Sequence, residues 1–201
     1  MIIYLKAIFN VFKNYKLYSL PILFYEVIFN LNYNKNYNKI KYLKSNIFSD
    51  SIPCPFFFLK KIKIFINKND INSICDLGSG YGKILYYFGK ICEYKIDGVE
   101  IDYNIFIQSK FLQDKNIRIL NYDITKFDLN KNRYDLLILN DPVKKIKDFN
   151  SIITKIKRLK YKCFVILINL TPKKSKVLQN KMKILKAEKI SLNKNIYYCN
   201  N

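Results

Sequence analysis

Three of the five glycines in this 201-residue chain lie within five consecutive positions, as Gly78, Gly80 and Gly82. Because only glycine adopts a positive φ without steric cost, this spacing predicts a backbone that turns sharply and lets a ligand approach closely. The apolar residues at 71–77 predict a buried strand before the glycines, and apolar residues recur at helical spacing over 84–91. The sequence therefore predicts a strand, a glycine turn and a helix.

A second predicted strand, over residues 95–99, ends in an acidic residue. Glu100 follows it directly, 24 residues after Asp76. A carboxylate at the tip of the second strand, about 20 residues beyond a glycine turn, is placed to accept hydrogen bonds from the two hydroxyls of a ribose. The pattern favours a cofactor that contains a nucleoside.

The spacing of the glycines excludes two common phosphate-binding motifs. A dinucleotide fingerprint, G-x-G-x-x-G, needs its last glycine where Lys83 stands. A P-loop needs a glycine at Leu77 and a serine or threonine at Ile84. What remains is G-x-G-x-G preceded by the acidic Asp76. This segment resembles motif I of the class I S-adenosylmethionine-dependent methyltransferases.

The resemblance implies a role for each residue of the motif. In that family the glycine turn passes under the methionine and ribose parts of S-adenosylmethionine, and an acidic group near the turn faces the cofactor's ammonium. The acidic residue after the third strand lies beside the adenine amino group. Here Asp123 follows the third predicted strand, 117–122, although aspartate at that point also favours a local turn. The implied cofactor-binding residues are Asp76, Gly78, Ser79, Gly80, Gly82, Glu100 and Asp123.

Further apolar runs complete the expected sheet. Strands are predicted at 134–139 and 163–168, and a terminal pair at 183–190 and 195–199. The resemblance is close over residues 71–142 and looser beyond them. It implies an α/β fold, the Rossmann-like class I methyltransferase sandwich, with a mostly parallel seven-stranded sheet and helices on both faces.

Two prolines separated by one residue precede the first predicted core helix. Pro53 and Pro55 force an extended segment before a helix that starts near Phe56. A P-x-P-aromatic segment at this distance before the glycines resembles one in Dot1-like and small protein-lysine methyltransferases, where it closes over the cofactor. The resemblance implies a cofactor contact at Pro55. Cys54 stands where that family usually has threonine, so this chain lacks a hydroxyl there.

The segment Asn140-Asp141-Pro142 follows the fourth predicted strand, where the family faces the methyl group that is transferred. It resembles the Asn-Pro-Phe or Asn-Asn-Phe segment of Dot1-like enzymes, and departs from it at Asp141 and Val143. The [DN]-P-P-[YF] of enzymes that methylate nucleic-acid amines fits less well, because the second proline and the aromatic are absent. The resemblance implies that Asn140, Asp141 and Pro142 form the catalytic segment and that Asn140 orients an amine. The alternative is a simple turn after a strand, which these residues also favour.

The net charge of +21 is distributed unevenly along the chain. Residues 1–70 carry +8, residues 71–143 carry −1 and residues 144–201 carry +14. The near-neutral middle suits a cofactor with a cationic sulfonium. The basic flanks are compatible with a nucleic-acid surface, but only three of the 36 basic residues are arginine, the residue favoured for phosphate and guanine recognition. Base composition of the genome explains a chain rich in lysine, asparagine and isoleucine equally well, and we favour it.

Two residue types limit the chemistry. The chain has no histidine, which excludes Ser-His-Asp and Cys-His catalysis and histidine metal ligands. The five cysteines are odd in number and form no C-x-x-C pair, so no metal site and no disulfide framework is expected. Cys75 and Cys163 lie within predicted strands and are expected to be buried small apolar residues. We expect a reducing, cytoplasmic setting.

The first 50 residues are expected to form a separate N-terminal helical extension and linker, and the resemblance implies a Rossmann-like methyltransferase domain at 51–201. The apolar stretch at 1–31 is interrupted by charged residues, so no segment is long enough to span a bilayer, and no secretory cleavage site is present. Pro21 is expected to divide this stretch into two helices, and residues 32–46 are expected to be a linker. The helices are expected to pack onto the domain, and peripheral membrane contact is the alternative.

The resemblance thus implies an S-adenosylmethionine-dependent methyltransferase that transfers a methyl group to an amine. The resemblance of residues 53–55 and 140–142 to Dot1-like enzymes implies a protein lysine as the acceptor. The alternatives are a methyltransferase that acts on a small molecule or RNA, and a non-catalytic basic module of the same fold that binds RNA or a membrane. Fold and cofactor are common to all of these enzymes, so they do not identify the acceptor.

Overall fold

Seven strands form one sheet in the computed structural model, which describes residues 9, 12–13, 15–16, 19–32, 52–191 and 194–201. The strands are β1 (Ser73–Leu77), β2 (Lys95–Glu100), β3 (Ile117–Asn121), β4 (Leu136–Asn140), β5 (Phe164–Ile168), β6 (Lys183–Ser191) and β7 (Lys194–Asn200). Their order across the sheet is β3-β2-β1-β4-β5-β7-β6. Strands β1 to β5 are parallel to one another, and β7 is antiparallel to both β5 and β6. The expected mostly parallel sheet of seven strands is confirmed.

In the described part of the chain, helices precede β1 and follow each of β1, β2, β4 and β5. They are α1 (Ser19–Asn32), α2 (Phe56–Asn67), α3, which is α-helical over Lys83–Leu85 and π-helical over Tyr86–Ile91, α4 (Tyr103–Ser109), α5 (Ile146–Lys157) and α6 (Pro172–Lys181). A 3-10 turn at Lys110–Leu112 follows α4. The strand order reverses between β1 and β4. In open parallel sheets, ligands bind at the carboxyl ends of the strands at such a reversal.

The sheet is buried on both faces because its strands alternate between two apolar cores. In β4, Leu136 and Ile138 pack into the core that contains α2 and α3, whereas Leu137 and Leu139 pack into the core that contains α5. Each of these side chains is fully buried. Burial of one such side chain contributes about 1.5–3 kcal/mol, which explains why the continuous apolar runs of the sequence become central strands.

The strands begin and end within two residues of their predicted positions, and one difference changes the site. Asn140 was expected to follow the fourth strand, but it is the last residue of β4 and pairs in register with Ile168 of β5. The pairing continues because β5 extends as far as β4. The backbone of Asn140 is therefore fixed by the sheet instead of belonging to a loop.

Helix α1 packs against α2 through aromatic rings. The ring of Phe29 stacks on that of Phe56 with centroids 4.6 Å apart, and Tyr25 contacts Phe57 at 5.7 Å. Pro21 lies in the first turn of α1, where its missing N–H costs no helical hydrogen bond. The helix expected before Pro21 and the linker expected at 32–46 lie outside the described residues, apart from Asn32 and the isolated positions given above. The domain boundary at 51 stays a prediction.

No helix within the described ranges combines the length and the apolar character that a membrane crossing requires. The cysteines expected to be buried, Cys75 and Cys163, are both buried and carry free thiols. Burial raises the pKa of each thiol above its ordinary value, so neither has thiolate character.

Candidate functional site

The glycine turn joins β1 to α3 at the strand reversal. The backbone N–H groups of Gly78 and Ser79 donate to the carbonyl oxygen of Val99 in β2, at 2.9 and 3.0 Å. The three glycines have φ of +90°, +55° and +84°, so the predicted positive φ values are confirmed. Gly78 also permits a close contact, because a Cβ placed there would lie 2.5 Å from the Cβ of Pro142. The glycine turn and the segment after β4 therefore touch.

Glu100 holds the glycine turn from the end of β2. Its side chain is almost fully buried, and its two carboxylate oxygens accept hydrogen bonds from the backbone N–H groups of Gly80 and Asp102, each at 2.8 Å. Burial raises the pKa of Glu100, and the two backbone donors oppose that rise. A carboxylate has about four lone-pair sites, so Glu100 retains acceptor capacity toward a ligand at the tip of β2.

Asp76 lies beneath the glycine turn as a fully buried carboxylate, and neither of its oxygens has a hydrogen-bond partner. Burial, and secondarily the charge of Glu100, raises the pKa of Asp76 to about 8. The hydroxyl of Ser79 is also buried and without a partner. Unpaired buried polar groups cost free energy, and they recover it when a ligand supplies donors or a positive charge. These atoms fit a cationic ligand that carries hydrogen-bond donors, as S-adenosylmethionine does.

Asp123 follows β3 and caps a local turn. One of its oxygens accepts hydrogen bonds from the backbone N–H and the hydroxyl of Thr125, at 2.8 and 2.7 Å. The adjacent Tyr122 donates its N–H to the carbonyl oxygen of Glu100, so the ends of β2 and β3 lie side by side. Asp123 therefore lies near Glu100, the residue that holds the glycine turn. Its hydrogen bonds to Thr125 are those of a local turn, which was the alternative to a cofactor contact at this position.

Asn140 connects two segments that are far apart in the sequence. Its Nδ2 donates to the carbonyl oxygen of Ile52 at 3.0 Å, and its Oδ1 accepts from Nδ2 of Asn169 at 2.7 Å. Asn169 follows β5 directly and has a φ of +60°. Asn169 is not among the residues predicted from the sequence. The signal that was available is its position, because a polar residue directly after a central apolar strand lies at the same sheet edge as Asn140.

Asp141 is anchored to a buried lysine of α6. Its carboxylate pairs with the ammonium of Lys174, which also donates to the carbonyl oxygen of Val143 and is almost fully buried. Asp141 adopts a φ of +45°, which aspartate tolerates better than most residues. This arrangement places Pro142 against the glycine turn. The expected catalytic segment is therefore a braced turn, in which Asp141 is engaged by a side chain that the sequence analysis did not single out.

Pro55 is buried at the start of α2. Its carbonyl oxygen accepts hydrogen bonds from the N–H groups of Phe58 and Leu59, at 2.9 and 3.2 Å, so it begins the helix as expected. Cys54 is fully buried, and burial raises the pKa of its thiol. The backbone N–H of Phe56, in the first turn of α2, donates a hydrogen bond to the Glu26 carboxylate of α1 at 2.8 Å.

Lys83, the residue after the last glycine of the turn, is buried and also pairs with Glu26. Desolvation lowers the pKa of Lys83, and the Glu26 carboxylate opposes that effect. The ammonium lies 4.2 Å from the centroid of the Phe56 ring, within the range of a cation–π contact. Position 83 served only to exclude the dinucleotide motif in the sequence analysis, and its structural role depends on α1.

Comparisons with known proteins bear on the fold and on the class of enzyme. Residues 75–162 match the model of a family described as a methyltransferase domain. No curated protein sequence matches the chain. Among solved structures, magnesium protoporphyrin IX methyltransferase from Synechocystis PCC 6803 has 14% sequence identity and a TM-score of 0.58, over 72% of this chain and 78% of that chain.

Two other solved structures give similar values. A SAM-dependent methyltransferase from Aquifex aeolicus has 16% identity and a TM-score of 0.55, over 70% of this chain and 87% of that chain. A TehB-like SAM-dependent methyltransferase from Corynebacterium glutamicum has 13% identity and a TM-score of 0.55, over 70% and 85%. At these identities the likeness shows a shared fold.

The sheet order and the likeness to the solved structures define the fold as the Rossmann-like fold of the class I methyltransferases, and the methyltransferase-domain match covers the part of the chain that contains the glycine turn. The protein is an S-adenosylmethionine-dependent methyltransferase.

Proposed function

We propose that the protein transfers the methyl group of S-adenosylmethionine to an amine nitrogen, and that the amine is the side chain of a protein lysine. Asp76, Ser79 and the glycine turn bind the methionine part of the cofactor in this proposal, and Glu100 binds the ribose. Asp123 binds at the adenine end and Pro55 covers the cofactor. Asn140 and Pro142 border the acceptor.

Buried polar atoms without hydrogen-bond partners support the proposed cofactor-binding residues. Two oxygens of Asp76 and the hydroxyl of Ser79 are buried without partners, directly beneath the turn. Their burial is costly without a ligand, since each unsatisfied group costs about 1–3 kcal/mol. A ligand with an ammonium and a sulfonium compensates this cost more fully than a neutral or anionic one, because the nearest carboxylates are Asp76 and Glu100.

The acceptor is argued from the groups beside Asn140. The chain has no histidine to act as a general base, and the carboxylate of Asp141 is engaged by Lys174. An alcohol must lose its proton to become a good nucleophile, whereas a neutral amine already has a lone pair. S-adenosylmethionine supplies a methyl carbon on a cationic sulfur, so that the nitrogen–carbon bond forms as the sulfur–carbon bond breaks with its electron pair left on sulfur. The proton of the methylated ammonium is then released to solvent.

The single observation that favours lysine is the hydrogen bond from Asn140 Nδ2 to Ile52, at 3.0 Å. It joins the end of β4 to the Pro53–Pro55 segment, and these are the two segments that resemble Dot1-like and small protein-lysine methyltransferases. The solved structures with this fold act on different acceptors by their descriptions, including magnesium protoporphyrin IX. The fold itself therefore does not identify the acceptor. The proposal of a lysine rests on the contact between the end of β4 and the Pro53–Pro55 segment.

Methyl-labelled cofactor tests the proposal. Lysates of cells that lack the protein are incubated with the purified protein and labelled S-adenosylmethionine, and the labelled products are separated by size and analysed by mass spectrometry. We expect label on lysine in a protein fraction. Label confined to RNA, or to small molecules, would refute the lysine proposal while leaving the methyltransferase activity intact.

The role of Asn140 is tested in the same assay. Asn140→Ala is expected to lower kcat while the cofactor Kd changes little, because the contact acts mostly in the transition state. Asn116→Ala is the matched control, since Asn116 is a half-buried asparagine at the opposite edge of the sheet. Joint loss of cofactor binding and turnover in Asn140→Ala would make Asn140 a structural residue.

A further inference from the structure

Asn169 presents a buried hydrogen-bond acceptor at the proposed acceptor site. Its Oδ1 has no hydrogen-bond partner, whereas its Nδ2 donates to Asn140. We propose that Asn169 Oδ1 accepts a hydrogen bond from the N–H of the methyl-accepting amine, and so aims the nitrogen lone pair at the methyl group. This inference rests on the function proposed above and adds a residue to the acceptor site.

The orientation of both side-chain amides follows from one backbone group. The carbonyl oxygen of Ile52 can only accept, so the atom of Asn140 that faces it is Nδ2. The other end of Asn140 is then Oδ1, which requires the donor Nδ2 of Asn169. Asn169 is left with its oxygen unpaired. The relay from Ile52 through Asn140 therefore determines that the second amide presents an acceptor and not a donor.

The position of Asn169 suits a role toward a ligand. The residue as a whole is half-buried, and its Oδ1 is a buried atom without a hydrogen-bond partner. Its φ of +60° is outside the range that most side chains prefer, and non-glycine residues in such conformations cluster at functional sites. Paired β4 and β5 hold the two asparagines adjacent, because Asn140 is in register with Ile168.

A neutral amide is well matched to a neutral amine. A carboxylate at this position would bind the protonated form of a lysine side chain and raise the pKa of that amine, which removes the nucleophilic lone pair. An amide oxygen accepts the N–H without this penalty. The chemistry of the site therefore distinguishes asparagine from aspartate, although the two side chains have nearly the same shape.

The first experiment observes binding and does not depend on turnover. Labelled protein saturated with S-adenosylhomocysteine is titrated with n-butylamine, which mimics a lysine side chain, at alkaline pH, and the side-chain amide signals of Asn140 and Asn169 are followed by NMR. We expect both signals to shift and saturate together. In Asn169→Gly the shift of the Asn140 signal should be lost or need at least about tenfold more amine.

The second experiment measures kinetics with the lysine-containing protein labelled in the lysate assay. Asn169→Gly keeps the positive φ without strain, and is expected to lower kcat/KM by about 10- to 100-fold with cofactor Kd unchanged. Asn169→Asp is expected to shift the acidic limb of the pH–rate profile to higher pH, which a purely structural role would not do. Glu93→Gly is the matched control, because Glu93 has a φ of +59° and is exposed at the opposite edge of the sheet.

Two results would overturn the inference. One is an unchanged kcat/KM and pH profile in both Asn169 variants while the wild type methylates lysine. The other is a fall in melting temperature and cofactor affinity that accounts for the whole loss of activity, which would make Asn169 a structural bridge. If the wild type labels no protein lysine but n-butylamine still shifts both amide signals, the lysine proposal fails and the amine contact of Asn169 stands.

Discussion

Glu26 on α1 and Lys83 at the start of α3 form a partly buried ion pair, with Glu26 Oε2 2.7 Å from Lys83 Nζ. The other oxygen of Glu26 accepts from Lys83 and from the backbone N–H of Phe56, both at 2.8 Å. The Lys83 side chain is only 4% exposed. One carboxylate therefore connects the N-terminal helix, the start of α2 and the helix that follows the glycine turn.

Breaking this ion pair is expected to destabilise the protein more than removing it completely. Glu26→Gln leaves the buried ammonium of Lys83 without a counter-charge, and Lys83→Met leaves the carboxylate of Glu26 without one. Each substitution should therefore lower the free energy of unfolding by up to about 3–5 kcal/mol. The double variant should lose less than the sum, with a coupling energy of about 1–3 kcal/mol. Urea denaturation of the four proteins measures it. Additive losses would show that the two side chains do not interact in solution.

Asp76 should make the stability depend on pH. Its pKa is about 8 in the folded protein against an ordinary value of 3.8, so between these values the folded state binds more protons than the unfolded state. The free energy of unfolding therefore falls as pH rises through that window. Asp76→Asn has no titrating group at this position, so its stability does not fall in this way. Its melting temperature should exceed that of the wild type by a margin that grows toward pH 8. A margin that is constant with pH would contradict the raised pKa.

Cofactor binding should release a proton from Asp76. A bound cation favours the carboxylate, so below pH 8 the affinity for S-adenosylhomocysteine should rise with pH and level off once Asp76 is ionised. Calorimetry in two buffers with different ionisation enthalpies counts the released protons. Asp76→Asn should bind with fewer protons released, and this comparison cancels the titration of the ligand's own amine. Equal proton release in both proteins would place the cation away from Asp76.

Glu100 should contribute to cofactor binding and to the shape of the glycine turn. Glu100→Ala removes the acceptor of the Gly80 N–H and the acceptor that we propose for the ribose hydroxyls, and should weaken S-adenosylmethionine binding by about 1–3 kcal/mol. Glu100→Gln keeps one acceptor oxygen and should fall between the alanine variant and the wild type. The exposed Glu93 provides a control as Glu93→Ala. Wild-type affinity in Glu100→Ala would remove this residue from the cofactor site.

Asp141 is expected to act through structure and not through chemistry. Asp141→Asn leaves the buried Lys174 without its carboxylate, so the melting temperature should fall, while kcat should fall by less than about tenfold. Combining it with Lys174→Met should recover part of the lost stability. A loss of turnover of about 100-fold or more, with the melting temperature unchanged, would show that Asp141 takes part in the reaction.

Local sequence pattern determined the strands, the glycine turn and the acidic residue at the tip of β2. Continuous apolar runs specify central strands because they can be buried on both faces, and glycine spacing specifies the turn because few other residues adopt positive φ. The turn at Gly78 and Gly80, and the position of Glu100 at the end of β2, could therefore be predicted from the sequence. The exact ends of the strands could not be predicted in this way, because the end of β4 depends on how far the neighbouring strand β5 extends.

Only the tertiary structure decided which polar groups meet at the site. Asn140 contacts Ile52 across 88 residues of sequence, Lys83 contacts Glu26 across 57 and Lys174 contacts Asp141 across 33. Nothing in the spacing of these residues predicts the contacts, because each depends on which helix packs over which strand end. A buried charge or amide must find its partner wherever packing places one. The physical reason is that the spacing of apolar residues indicates which face of a helix or strand is buried, but not which other helix or strand covers that face.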